Sequence, residues 1–169
     1  MTLAAVGVRF MSDIYLAFYK GKTTGSKPRN LIARLSDWLT RKLTRGQYSH
    51  CEIAIKKQVF GSGHHYEMET YYNCYSASIR DGGVRCKTID VESDKWDLVP
   101  LNGVSEAQIQ LYFELTKGKK YDWWGAIGVV FGTAQRTDKY FCSEWCSNAI
   151  NGKNQGWRFS PNDLAAIFR

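Results

Sequence analysis

A chain of 169 residues is long enough for one hydrophobic core and too short for two, so a single domain over 1–169 is expected. Hydrophobic residues make up 44% and aromatics 14%, prolines number only 3, and no segment is of low complexity, which excludes a disordered chain. Lysine and arginine number 23 against 16 acids, a formal charge of +7 concentrated in the first third, where "KGKTTGSKPRN" and "RKLTR" lie. Such a surface attracts anions, and nucleic acid, anionic lipid and bacterial cell wall all satisfy it, as does a basic face that only meets solvent.

The N-terminal "MTLAAVGVRFMSD" has a short apolar run broken by an early arginine and aspartate, a poor signal peptide. Asp13 to Tyr19, "DIYLAFY", is β-branched and aromatic and predicts a strand; the basic stretch after it, with Gly, Thr, Ser and Pro, predicts a loop. From Asn30 the apolar positions Leu31, Ile32, Leu35, Trp38, Leu39 and Leu43 recur at three and four, which predicts a helix of about 13 residues with one buried face. Next, "YSHCEIAIKK" alternates as a strand, with Cys51, Ile53 and Ile55 on one face and His50, Glu52 and Ala54 on the other.

The stretch "HHYEMETYYNCYSASI" predicts one long strand or a hairpin, closed by the turn "RDGG". Two further strands, "VRCKTIDV" and "WDLVPL", complete an antiparallel sheet. Ser105 with Gln108 predicts a capping box and a helix that stops at Gly118. "YDWWGAIGVVFG" predicts a short buried helix, and its apolar run is well under the ~20 residues that cross a bilayer. "KYFCSEWCSNAING" predicts a helix with a Gly cap, and "SPNDLAAIF" a last one opened by Ser160 and Pro161. Five cysteines with no regular spacing point to free thiols in a reducing cytoplasm, with export that needs no signal peptide left open.

A catalytic cysteine needs a lowered pKa, access and a general base. Cys142 stands at the start of a helix, where unpaired N–H groups and the macrodipole favour a thiolate and an oxyanion beside it. Cys146, one turn further in, gains little of this and reads as core, as small buried thiols usually do. His50, on the polar face of its strand, is the candidate base.

The ordered set "YSHCEIAI", "DGGVR", "YDWWGAIG", "YFCSEW" and "SPNDL" resembles the circularly permuted papain-fold cysteine hydrolases, relatives of NlpC-type peptidoglycan peptidases and of lecithin retinol acyltransferase-like enzymes. The likeness runs from about Tyr48 to Leu164, and "YSHCE" with "SASIRDGGVR" is similar to small phage-encoded members. It implies an α+β, permuted papain-like fold, an antiparallel sheet packed against helices, with Cys142 as nucleophile and His50 as base. It implies an amide hydrolase acting on a peptide such as a peptidoglycan stem peptide through an acyl-enzyme, without cofactor; the poor signal peptide and the short apolar runs point to the cytoplasm, and the phage likeness adds the host cytoplasm or virion. An acyl-lipid hydrolase or acyltransferase would use the same residues.

The resemblance also implies a polar residue that orients the imidazole, and there the match is incomplete. A carboxylate best stabilises an imidazolium, which selects Glu69. Glu67 on the same face, Glu52 beside His50, Ser76 and Ser78 nearest the "GGV", and His64 and His65 remain alternatives. Cys142 and Cys146 at i, i+4 lack the spacing of a zinc knuckle, so no metal is expected. Outside enzymes, the basic loop and first helix, with aromatics to stack on bases, allow a nucleic-acid-binding or host-targeting phage protein.

Overall fold

Alternation in the sequence around His50 organises the sheet. The computed structural model describes residues 13–22, 28–60, 68–122 and 138–169. Strands β1 (Ile14–Tyr19), β2 (His50–Phe60), β3 (Met68–Ser78), β4 (Gly83–Thr88), β5 (Trp96–Pro100), β6 (Lys120–Tyr121) and β7 (Lys139–Tyr140) form one sheet. Its order is β5-β1-β2-β3-β4-β6-β7, with every pairing antiparallel except β6 to β7. Helices α1 (Pro28–Thr44), α2 (Glu106–Thr116), α3 (Cys142–Asn151) and α4 (Pro161–Phe168) complete an α+β fold.

The β2 alternation sorts two layers. Cys51, Ile53 and Ile55 join the main core with Leu16, Phe18, Trp145, Cys146 and Leu164, while Ala54 packs with Ala17, Tyr72, Cys74 and Val91 on the opposite face. The described part of the long segment after β2, Met68–Ser78, is a single strand, β3, and it hairpins into β4. Gly82 has φ 82° in that turn, and a Cβ on Gly83 would stand 2.0 Å from the Lys119 carbonyl oxygen, so this close approach of β6 requires glycine.

Caps differ from the sequence reading at one end. Ser105 Oγ accepts the Gln108 N–H as expected, but the Gln108 side chain does not close the box. Its Nε2 donates instead to the carbonyls of Ala149 and Ile150 at 2.7 and 2.8 Å, satisfying the orphan C-terminal end of α3. Ser160 and Asp163 form a full capping box on α4, with Pro161 in its first turn.

Helix α1 departs further. Its apolar periodicity predicts one buried face, yet Leu31, Leu35 and Trp38 are 64%, 63% and 59% exposed. The helix turns its more polar side inward: Arg41 donates to the Gly21 carbonyl at 2.6 Å and to Ser49 Oγ at 3.0 Å. The predicted helix in "YDWWGAIGVVFG" lies, beyond its first two residues, outside the described residues. No helix among the described residues is long and apolar enough to cross a membrane.

Candidate active site

His50 opens β2 and Cys142 opens α3, and the fold brings these two ends together. The β2–β3 ladder begins only at Ile53 and Tyr75, so the backbone of Cys51 is left to other partners. Its carbonyl accepts the Ser76 hydroxyl at 2.8 Å and its N–H hydrogen-bonds the Cys142 sulfur. Cys142 also takes a hydrogen bond from the Cys51 thiol and lies in hydrogen-bonding reach of the His50 ring.

These contacts set the proton's place. The Cys51 hydrogen bond outweighs burial and, with the His50 charge and the Cys51 N–H, holds the Cys142 thiol well below its ordinary range. Burial opposes a charge on His50, but the Cys142 and Glu52 anions overcome it and push the imidazole up to about 10. A base pushed up beside a thiol pushed down is a thiolate–imidazolium pair. Cys51 itself is driven the other way, well above its ordinary range, because it is buried beside two other thiols. Cys146 packs in the core and donates to the Cys51 carbonyl at 3.7 Å.

Behind the imidazole stands Glu52, not Glu69. His50 Nε2 lies 3.1 Å from Glu52 Oε1, and Glu52 is fully buried. Glu69 pairs with Val59, nine residues along β2 from His50, which at ~3.3 Å per residue puts it roughly 30 Å away. It is exposed there and cannot orient the ring. Ser76 holds the Cys51 carbonyl instead of the imidazole, and Ser78 hydrogen-bonds Asp81. Glu67, His64 and His65 lie outside the described residues.

A buried carboxylate needs a counter-charge, and Arg85 supplies it. Its Nη1 and Nη2 grip Glu52 Oε2 and Oε1, each at 2.6 Å, a bidentate fork. Arg85 faces Ser76 in the β3–β4 register, and that small side chain lets the guanidinium pass over β3 to reach β2. Its Nε is held in turn by Asp81 at 2.9 Å, and Asp81 also receives Lys87. Burial would raise the Glu52 pKa; the Arg85 fork and then His50 reverse this and hold it at about 2. Arg85 carries no motif of its own, and the only trace of it in the sequence is the last letter of "DGGVR".

Two more residues fix the site. Asn162, the third residue of "SPNDL", accepts the Tyr48 N–H at 3.0 Å and donates to the Tyr48 carbonyl at 2.9 Å, pinning the turn that leads into His50. Trp96 and Tyr19 lie across from His50 in the β5–β1–β2 register and form an aromatic wall, their rings 5.0 Å apart and the Trp96 ring 6.5 Å from His50.

A cleft of about 300 Å³ opens on this face, lined by Tyr19, Asp37, His50, Arg80, Trp96 and Tyr121 among others. Cys142 is 5% exposed. Phe141 caps α3 without a side-chain hydrogen bond, so the first-turn N–H groups beside the sulfur are not taken by a capping side chain. Among the described residues no group of three or more His, Cys, Asp or Glu could hold a metal ion, and all five cysteines are free thiols. Comparisons of the chain with protein-family models, with curated proteins and with solved structures find no match.

Proposed function

We propose that the chain is a cysteine hydrolase of the permuted papain-like type that cleaves an amide bond in a peptide, a peptidoglycan stem peptide being the first candidate. The observation that carries this reading is the contact of a helix-start cysteine, its thiol pulled below the ordinary range, with a strand histidine that is backed by a buried, arginine-held glutamate. With Nε2 engaged by Glu52, Nδ1 is the nitrogen left to exchange a proton with the sulfur.

The Cys142 thiolate attacks the amide carbon, and the carbonyl oxygen takes the negative charge beside the first-turn N–H groups of α3. The His50 imidazolium gives its proton to the departing amine, the C–N bond breaks, and a thioester remains. Neutral His50 then takes a proton from water, whose oxygen attacks the thioester; the acid leaves and the thiolate–imidazolium pair returns. Glu52 keeps the ring oriented and stabilises its positive form throughout.

The test is Cys142→Ala. It is expected to abolish alkylation of residue 142 by iodoacetamide at mildly acid pH, where an ordinary thiol is protonated, and release of peptide fragments from peptidoglycan sacculi. Fragment release that survives the substitution would sink the proposal. The exposed apolar stripe of α1, a helix that also borders the cleft through Ser36 and Asp37, favours an acyl-lipid ester as a second reading. Hydrolysis of a lipid ester but no amide would select it.

A further inference from the structure

The outward face of α1 combines two properties that ordinary solvent-facing helices keep apart. Leu31, Leu35 and Trp38 follow one another at four and three residues and form one stripe on the exposed side. Arg34 and Lys42 lie in the same arc, at about 100° of turn per residue, and Arg45 follows just past the helix end. All three cations are exposed, and among the described residues none pairs with a carboxylate. The one acid of the helix, Asp37, is turned to the other side, where it lines the cleft and meets Arg80 at 3.7 Å.

We infer that this face of α1 docks on an anionic phospholipid surface. The choice of occupant follows from charge and apolarity together. A nucleic acid would use the cations and stack on Trp38 but leave Leu31 and Leu35 in water, and an apolar protein groove would cover the leucines and strand Arg34 and Lys42. An anionic bilayer interface satisfies both, with leucines at the acyl boundary, the indole at headgroup level and the cations among the phosphates. Arg41 ties the inner side of the same helix to Gly21 and Ser49, next to His50, so docking would hold the cleft close to the lipid headgroups. The inference stands without the catalytic reading and uses none of its residues.

Vesicle co-sedimentation tests it, with pure phosphatidylcholine against phosphatidylcholine containing phosphatidylglycerol. The wild type is expected to sediment with the anionic vesicles only, and less so as salt rises. Arg34→Ser with Lys42→Ser should weaken this on the order of 25-fold, about fivefold per cation. Leu35→Glu and Trp38→Ser should each weaken it by roughly tenfold while leaving the melting temperature unchanged, since these side chains are already in solvent. Several outcomes would overturn the inference: no binding to anionic vesicles, equal binding to neutral ones, or a concentration-dependent dimer that Leu35→Glu breaks up. So would DNA or RNA binding lost with the cations but kept in Leu35→Glu. A melting temperature that drops in Leu35→Glu without any vesicle binding would show instead that the face is covered within the chain.

Discussion

The two ends of the β2–β3 pair carry the same kinds of residue and have opposite fates. At one end Glu52 is buried, held by Arg85 at two oxygens and in contact with His50. At the other, Glu69 faces Val59 where both strands run out to solvent, with Val59 43% and Met68 54% exposed. The sequence alone favours Glu69 as the carboxylate behind the histidine and keeps Glu52 as an alternative. Burial and a counter-charge from a third strand separate them, and only the buried end has a reason to keep a carboxylate ionised next to an imidazolium.

Swapping each carboxylate for its amide contrasts the two ends most strongly. Glu52→Gln is expected to lower kcat about 10²- to 10⁴-fold, because a neutral amide neither stabilises the imidazolium nor fixes its orientation; steady-state kinetics on the proposed peptide substrate read this directly. Arg85→Met leaves the Glu52 charge buried without its partner and should cost about 3–5 kcal/mol in urea unfolding. Arg85→Lys, which keeps the charge but not the fork, should recover only part of that.

The same buried end should govern the response to pH. The Glu52 carboxyl is held at about 2, below its unfolded value of 4.5, so its stabilisation is present above about 4.5 and is lost as pH falls toward 2. The loss is about 3 kcal/mol, and denaturant midpoints taken down this range should follow it. At the alkaline side His50 is pushed up to about 10, so stability from its charge is complete below about 6.5 and disappears as pH rises through 10. Activity should decline over the same alkaline limb as the imidazolium is lost.

Smaller effects complete the contrast. Ser76→Ala removes the hydrogen bond to the Cys51 carbonyl and should cost roughly 1 kcal/mol in urea unfolding. Glu69→Gln should change stability by no more than about 0.5 kcal/mol and leave kcat untouched; a fall in kcat there would break the distinction between the two ends.

What could be read from the letters follows the range of the forces involved. Alternation along "YSHCEIAI" is a local property, so the two faces of β2 and the direction of His50 were legible. The start of α3 at Cys142 was legible for the same reason. The glutamate behind the ring was not, because Glu52 is chosen by Arg85, which lies 33 residues away and reaches it across a strand. The role of the Cys51 thiol is not legible in the alternation, which places it only on the face of Ile53 and Ile55, since its contact with Cys142 depends on where the β2–β3 ladder begins. In α1 the period of three and four was real, but periodicity reports an apolar stripe and not what faces it. The two-residue strands β6 and β7 are too short to leave any periodic signal.

The bond from Asn162 to Tyr48 joins positions 114 apart, and this sets an order of events during synthesis. While the chain is still being made, the hairpin of β2 and β3 can form as soon as its own residues have emerged, but the turn before His50 is not fastened until α4 follows. Cys142 likewise arrives long after its histidine. A nascent chain halted before residue 162 should therefore carry the β2–β3 hairpin without the Asn162 latch on the turn that leads into His50.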